Sequence, residues 1–211
     1  MNDLKIKVCG LKDAENIKAV AALAPDYMGF IFYDKTPRFV GEFSADALKD
    51  IPSTIIKTGV FVDETPENIT AIVDKYKFDA IQLHGNEGPE ICALFKGRVT
   101  VIKAFGVNVD FDFDQVYAYA DHVDYFLFDT KTAIHGGSGQ IYDWEVLNDY
   151  KLDIPFFLSG GLSLDNMDEI ETIKNPQFYG VDLNSRFETA PGIKDIKKLK
   201  QAFAFIKQID I

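Results

Sequence analysis

Short apolar runs alternate with amphipathic segments along the chain, and the pattern repeats roughly every 25 residues. Each unit has a run of β-branched or aromatic residues, then a polar turn, then a segment with helical spacing. The pattern predicts eight strands, at residues 4–8, 28–32, 57–62, 80–83, 99–105, 125–128, 156–158 and 178–181. It also predicts helices at residues 14–23, 66–76, 89–95, 113–119, 164–173 and 196–209.

Continuous apolar strands that alternate with helices are typical of a parallel sheet covered by helices. Eight such units in 211 residues predict an α/β fold, a single (β/α)8 TIM barrel that spans residues 1–211 as one domain. A doubly wound open sheet is the alternative. The first strand runs into Cys9-Gly10-Leu11, and the chain has neither a GxGxxG fingerprint nor a P-loop motif, which disfavours that alternative.

The formal net charge of −11 disfavours nucleic acids and anionic membranes as partners, because the long-range field repels both. A small anionic ligand would need local attraction from backbone N–H groups, a helix N-terminus or an arginine.

No apolar stretch approaches the roughly 18 residues of a membrane span, and the first residues lack a secretory pattern, so we expect a cytoplasmic protein. Cys9 and Cys92 have the spacing of neither a disulfide framework nor a zinc site.

In a barrel of this kind, catalytic groups sit at the C-terminal ends of the strands. Cys9 ends the first strand and His84 ends the fourth. Cys9 is either a small buried hydrophobe or, beside cations, a thiolate base whose pKa is lowered below about 8.5. Strand alternation leads us to expect Lys7 to face away from Cys9. His84 is either a structural histidine or a residue of the site.

The most unusual stretch of the chain, residues 127–144, is a strand that ends in Asp129 and continues into a glycine-rich segment. Glycines keep a backbone mobile and let it approach a ligand closely. We interpret the segment as an active-site lid, with a loop whose glycines only form turns as the alternative. The lid residues are Gly136, Gly137, Ser138 and Gly139.

Anion-binding features follow the seventh and eighth strands. One strand turns through Gly160 and Gly161 toward a predicted helix, and the other is followed by the small polar residues Asn184 and Ser185. Loops after strands seven and eight are where barrels of this kind commonly bind phosphate. A phosphate site is therefore predicted there. Arg38, in a loop next to Pro37, is either solvated surface or a bidentate partner for a substrate carboxylate.

Seven strings in series, between Lys5 and Asp195, closely resemble the N-(5′-phosphoribosyl)anthranilate isomerase family. They are Lys7-Val8-Cys9-Gly10-Leu11; Gly29-Phe30-Ile31-Phe32-Tyr33 with Arg38; Gly59-Val60-Phe61-Val62; Gln82-Leu83-His84-Gly85; Asp129-Thr130 with Gly136-Gly137-Ser138-Gly139 and Asp143-Trp144; Leu158-Ser159-Gly160-Gly161-Leu162; and Pro191-Gly192-Ile193-Lys194-Asp195.

The resemblance implies a barrel of tryptophan biosynthesis that converts phosphoribosylanthranilate to 1-(2-carboxyphenylamino)-1-deoxyribulose 5-phosphate. This Amadori rearrangement uses no cofactor and no metal. The implied general base is Cys9, the implied general acid is Asp129, and Arg38 is implied to contact the anthranilate carboxylate. The phosphate is implied or expected to bind to Gly160, Gly161, Asn184 and Ser185. Two further candidates for substrate binding are His84 and Asp182.

The expected partner is thus a phosphorylated small molecule, and no obligate protein partner is evident. Two positions depart from the family pattern: Arg186 replaces a glycine of the phosphate loop, and Gln140 stands where a lysine commonly follows the lid glycines. The alternatives are another phosphate-binding barrel of a neighbouring pathway, or a barrel that binds a sugar phosphate without catalysis. Arg186 is the only feature that favours the second alternative.

Overall fold

A computed structural model describes residues 4–41, 44–130 and 144–208. Eight parallel strands pair in sequence order and close into a barrel, so the predicted fold is confirmed. The strands are β1 (Lys5–Cys9), β2 (Tyr27–Ile31), β3 (Ile56–Phe61), β4 (Ala80–Leu83), β5 (Thr100–Val107), β6 (Tyr125–Thr130), β7 (Phe156–Ser159) and β8 (Phe178–Leu183). Each lies within a few residues of its predicted position.

Helices cover the outside of the barrel. The α-helices are α1 (Ala14–Ala21), α2 (Pro66–Tyr76), α3 (Pro89–Phe95) and α4 (Ile196–Ile206). The 3₁₀ helices of the described chain are Ala45–Leu48, Phe113–His122, Trp144–Asp149, Met167–Thr172 and Ser185–Phe187. A short antiparallel hairpin, β9 (Glu188–Ala190) and β10 (Ile193–Lys194), follows β8 and was not predicted.

Two predicted helices, at 113–119 and 164–173, have 3₁₀ geometry instead. The second also starts later, at Met167, because the Asn166 side chain accepts hydrogen bonds from the backbone N–H and the hydroxyl of Ser163. Asparagine and serine side chains that bond locally to the backbone compete with helix formation. In the first, the aromatic-rich stretch from Phe113 has modest helix propensity.

The barrel interior divides into an apolar end and a polar end. At the N-terminal ends of the strands it is filled by Tyr27, Ile102, Ala104, Leu127 and Phe157, and the rings of Tyr27 and Phe157 meet edge to face at 5.2 Å. A larger apolar layer lies between the strands and the outer helices. The filled end closes the barrel from below, so only the C-terminal end is open for a site.

Three aspartates repeat one structural role at the apolar end. Asp26, Asp79 and Asp124 each precede an even-numbered strand, and each carboxylate accepts a hydrogen bond from a backbone N–H at the start of the odd-numbered strand before it. The acceptor distances are 2.9, 2.9 and 2.8 Å. These bonds satisfy backbone donors at strand starts and fix each pair of strands in register.

No helix in the described ranges of the chain combines the length and the apolar character that a membrane crossing requires.

Replacing Asp124 with alanine should lower the free energy of unfolding by about 1–2 kcal/mol, because the Val101 N–H loses its acceptor at the strand start. Urea unfolding measures the change. Asp121→Ala, an exposed position nearby, is the control and should be close to neutral. An unchanged free energy of unfolding in Asp124→Ala would show that water replaces the carboxylate without loss of stability.

Candidate active site

A cavity of roughly 200 Å³ opens at the C-terminal ends of the strands. Most of the candidate site residues line it, although they come from loops and strands all around the barrel. Its lining consists of Cys9, Ile31, Arg38, Val60, Gln82, His84, Asp129, Ser159, Gly160, Gly161, Leu162, Asp182, Asn184 and Ser185. The structure therefore brings together the predicted acid, the predicted base and the predicted phosphate loops.

Cys9 lies at the end of β1 with its side chain turned toward the cavity and only 2% of it exposed. The neighbouring strand makes room for it: a Cβ atom at Gly29 would lie 2.6 Å from the Cys9 sulfur. Gly10, with φ +82°, turns the chain sharply away after the thiol. Two glycines thus place the Cys9 thiol, and a larger residue at either position would cause a clash or backbone strain.

Lys7 lies inside the barrel below Cys9, so the expectation that it faces away was wrong. Residues two apart in a strand share a face, and strand alternation correctly applied puts both side chains inside. Lys7 is fully buried and its Nζ donates to Asp182 Oδ2 at 3.0 Å. The other carboxylate oxygen, Asp182 Oδ1, is buried without a hydrogen-bond partner among the described residues.

The thiol of Cys9 does not have the lowered pKa expected from the sequence. Burial raises the pKa of Cys9 above its ordinary value; Lys7 opposes this most strongly, Asp182 adds to it and Lys194 opposes it. Burial also raises the pKa of Asp182 despite Lys7. For Lys7 itself, burial lowers the pKa, but Asp182 and Cys9 together outweigh it and the pKa is raised. Both shifts favour the protonated forms, an ammonium at Lys7 and a thiol at Cys9.

Asp129, at the end of β6, belongs to a chain of polar side chains. His84 Nε2 lies 3.3 Å from Asp129 Oδ2, and the Gln82 amide donates to His84 Nδ1 at 2.7 Å. A neutral imidazole that accepts at Nδ1 carries its hydrogen on Nε2. His84 therefore donates to the Asp129 carboxylate and holds it toward the cavity, while 28% of the Asp129 side chain remains exposed.

The loop after β7 approaches Asp129 so closely that it needs a glycine. Gly160 has φ +85°, and a Cβ there would lie 2.6 Å from Asp129 Oδ1 and 2.2 Å from the Thr130 carbonyl oxygen. The Thr130 hydroxyl donates to the Ser159 carbonyl at 3.1 Å and accepts from the Trp144 indole N–H at 3.2 Å. These contacts bring the predicted acid and the predicted phosphate loop side by side.

The predicted phosphate loops lie next to each other at the cavity. Gly161 also has a positive φ, +68°, and the N–H groups of Gly161 and Leu162 donate to no other described residue. Asn184 and Ser185 come from the start of the short helix after β8 and line the same cavity. Backbone donors at a turn and at a helix start suit a phosphate oxygen.

Arg38 lines the cavity but is already in an ion pair. Its Nε and Nη2 donate to the Glu188 carboxylate, at 3.0 and 2.7 Å. Glu188 also accepts from Lys194 Nζ at 2.8 Å, and Lys194 donates to Asn184 Oδ1 at 2.8 Å. The side-chain hydrogen bonds of Arg38 to described residues involve Nε and Nη2 alone, so Nη1 remains available to a ligand.

Several expectations fall outside this cavity. The proposed lid, Gly136 to Gly139, and Gln140 lie outside the described residues. Arg186 is exposed and lines a separate surface depression with Lys198, not the central cavity. In the described residues there is no group of three or more His, Cys, Asp or Glu side chains that could hold a metal ion. The expectation that the chemistry uses no metal and no cofactor stays a prediction.

Four residues of the site were missed from the sequence: Lys7, Gln82, Glu188 and Lys194. The first two had a signal, because each lies two residues before a singled-out strand-end residue and so shares its face. Glu188 had none, since its partner Arg38 is 150 residues away in the chain, and Lys194 is placed by its bonds to Asn184 and to that same Glu188.

Comparison with known proteins agrees with this geometry. The family model described as N-(5′-phosphoribosyl)anthranilate isomerase matches residues 6–205. A protein of that name from Parabacteroides distasonis is 46% identical over 207 residues, which is 97% of this chain and 92% of the relative. Another from Phocaeicola vulgatus is 40% identical over 204 residues, or 93% of this chain and 98% of the relative.

Solved structures give the same result. The phosphoribosylanthranilate isomerase of Thermotoga maritima superposes with a TM-score of 0.85 at 32% identity, over 98% of this chain and 100% of the other. A phosphoribosylanthranilate isomerase in complex with reduced 1-(o-carboxyphenylamino)-1-deoxyribulose 5-phosphate superposes at 0.82 with 29% identity, over the same shares of the two chains. The chain belongs to the N-(5′-phosphoribosyl)anthranilate isomerase family.

Proposed function

We infer that this chain isomerises N-(5′-phosphoribosyl)anthranilate to 1-(2-carboxyphenylamino)-1-deoxyribulose 5-phosphate, a step of tryptophan biosynthesis. The observation that carries the inference is a single cavity lined by Cys9, Asp129 and the two loops after β7 and β8. A thiol and a carboxyl group from strands far apart in the ring can act on one ligand between them. The family and the ligand of the similar solved structure fit the same reaction.

Asp129 serves as the general acid. It gives a proton to the furanose ring oxygen, the ring opens, and the sugar becomes a Schiff base with the anthranilate nitrogen. The hydrogen bond from His84 Nε2 holds the carboxyl group in place at the cavity wall. General acid help of this kind contributes roughly 10²- to 10⁴-fold to the rate.

Cys9 serves as the general base. As a thiolate it removes the proton from C2′ of the Schiff base, which gives an enolamine that tautomerises to the ketone product. Because burial raises the pKa of Cys9, the thiolate is the minor form near neutral pH. We therefore expect kcat to increase with pH as the thiol ionises, for as long as Asp129 keeps the proton that it donates.

The phosphate of the substrate is held by the loops after β7 and β8. The N–H groups of Gly161 and Leu162 and the polar groups of Asn184 and Ser185 are its donors. Local donors of this type are needed because the chain as a whole carries a net charge of −11. Asp182 accepts a hydrogen bond from a sugar hydroxyl through Oδ1, the carboxylate oxygen that has no partner among the described residues.

Arg38 binds the anthranilate carboxylate through its Nη1 edge while Glu188 holds the opposite side of the guanidinium. A fixed, planar guanidinium is well suited to a carboxylate because little side-chain entropy is lost on binding.

The direct test is a fluorescence assay of phosphoribosylanthranilate consumption by the purified chain. Turnover supports the assignment. Turnover of a histidine-pathway aminoaldose alone would favour a neighbouring barrel enzyme. A calorimetric signal with the sugar phosphate and no turnover of either substrate would indicate a barrel that binds without catalysis.

Replacing Cys9 with alanine, or Asp129 with asparagine, should each lower kcat by at least about 10²-fold, because each change removes one proton-transfer group. Steady-state kinetics with circular dichroism as a control for folding measures this. Activity within a few-fold of the unmodified chain would remove that residue from the acid and base pair.

Replacing Arg38 with alanine should mainly increase KM, since the guanidinium binds a part of the substrate that does not react. An increase of at least about tenfold corresponds to one lost charge-assisted pair. Lys12→Ala, which removes a cation bonded to the Pro37 carbonyl of the same loop, is the control and should change KM little. A loss confined to kcat would contradict the carboxylate role.

Replacing Glu188 with glutamine should lower the free energy of unfolding by about 2 kcal/mol near pH 7, because Arg38 and the buried Lys194 lose their counter-charge. Burial raises the pKa of Glu188, but the hydrogen bonds from Arg38 and Lys194 outweigh it and the pKa is lowered.

A carboxyl group with a lowered pKa in the folded state stabilises the fold fully above its unfolded-state pKa of about 4.3, and this contribution is lost as the pH falls through the folded-state value. The difference between the two proteins should therefore shrink as the pH falls below about 5. Urea unfolding across this range measures it, with the exposed Glu171→Gln as a control. A difference independent of pH would show that the loss is one of packing.

A further inference from the structure

Lys7 is a buried cation without an assigned role. It lies on β1 two residues before Cys9, its side chain is fully buried, and its position beside Asp182 is fixed because the two residues are paired across the β1 and β8 strands. A buried lysine costs desolvation energy, so a purely structural site would be served as well by an apolar side chain. Its place beside the Asp182 carboxylate and on the same face of β1 as the Cys9 thiol indicates a function for the charge.

We propose that Lys7 is the positioning residue of the base: its ammonium divides its hydrogen bonds between Asp182 and the Cys9 sulfur and is the counter-charge for the thiolate when Cys9 takes the substrate proton. The proposal rests on the function inferred above for Cys9. Lys7 does not touch the substrate, because it lies beneath the cavity and no part of it is exposed.

The electrostatic surroundings of the thiol support this role. Among the described residues, the charged groups that act on Cys9 are Lys7 from its own strand, Asp182 from β8 and Lys194 from β10. On the side of β2 the thiol lies against Gly29, where a Cβ atom would be 2.6 Å from the sulfur. Lys194 already bonds Glu188 and Asn184, whereas Lys7 bonds Asp182 and lies on the same face of β1 as Cys9, two residues before it. Lys7 lowers the pKa of Cys9 more than any other group does.

The effect of Asp182 on Cys9 distinguishes this role of Lys7 from a purely structural one. It competes with the thiol for Lys7, and its charge also raises the pKa of Cys9. Removal of the Lys7 charge should make Cys9 harder to ionise, while removal of the Asp182 charge should make it easier. If the two changes acted only by loosening the barrel, both would alter the reactivity of Cys9 in the same direction.

The test is the rate of alkylation of Cys9 by iodoacetamide, measured without substrate across about pH 6 to 10 by peptide mass spectrometry. The thiolate is the reacting form, so the rate reports its fraction. Cys92 in the same digest is an internal reference, because it is fully buried in α3 and becomes labelled only if the protein unfolds. Lys103→Met is the matched control, since it removes another buried, paired lysine, one that packs outside the barrel against Glu87.

Lys7→Met should slow the alkylation of Cys9 at least about tenfold at pH 8, which corresponds to a rise of one pKa unit. Asp182→Asn should accelerate it several-fold, and Lys103→Met should leave it within about twofold. In turnover, Lys7→Met should lower kcat by a similar factor, leave KM within about threefold and move the rise of kcat to higher pH.

Equal alkylation rates for Lys7→Met and the unmodified chain, with Cys92 unlabelled, would overturn the proposal. If Lys7→Met unfolds and exposes Cys92, the deciding measurement is the alkylation of Cys9 in Asp182→Asn. An alkylation rate that does not increase in that variant overturns the proposal. Absence of phosphoribosylanthranilate turnover by the unmodified chain would instead refute the proposed function, because the alkylation of Cys9 is measured without any substrate.

Discussion

The pairing of the first strand with the last is the constraint on which the rest of this structure depends. It closes the sheet in one register, with Lys5 beside Gly180 and Lys7 beside Asp182. A Cβ at Gly180 would lie 2.6 Å from the Lys5 carbonyl oxygen, so the two strands meet closely only because a glycine is there. Closure makes all eight strand ends converge on one opening, where side chains from the first and sixth strands share a cavity.

The interior separates groups that serve stability from groups that serve chemistry. Aromatic and aliphatic side chains fill the N-terminal end, while buried ion pairs lie toward the C-terminal end: Lys7 with Asp182 inside the ring, Lys103 with Glu87 outside it, and Lys194 with Glu188 at its edge. Buried ion pairs contribute little net stability because desolvation offsets their attraction. Their place near the cavity fits a role in setting charge, while the aromatic end supplies the packing energy.

The sequence predicted the barrel well because its strands are continuous apolar runs and its helices begin at clear signals such as Thr65-Pro66 and Gly88-Pro89. It predicted helices at 113–119 and 164–173 less well, since local side-chain bonds and aromatic content favour 3₁₀ turns there. Cys9, Asp129 and the glycines after β7 could be singled out because strand ends in a barrel share one face.

What the sequence did not predict depends on distance or on burial. The ion pair of Arg38 with Glu188 joins a loop and a hairpin that lie far apart in the chain, and no local pattern marks it. The ionisation of Cys9 depends on how much solvent the fold removes from the thiol, which only coordinates can give. Lys7 is different, because strand alternation puts Lys7 and Cys9 on the same face and so does predict its position. The expectation that it faces away applied the alternation wrongly, by one residue.

The aspartates before β2, β4 and β6 have a consequence for how the ring is assembled. Each of them ties its own strand to the strand immediately before it, so three neighbouring pairs of strands are each locked by a carboxylate that lies within the pair. The barrel is in this sense modular: new chain ends placed between two pairs would leave every such lock within one continuous segment, whereas a cut inside a pair would separate a carboxylate from its amide.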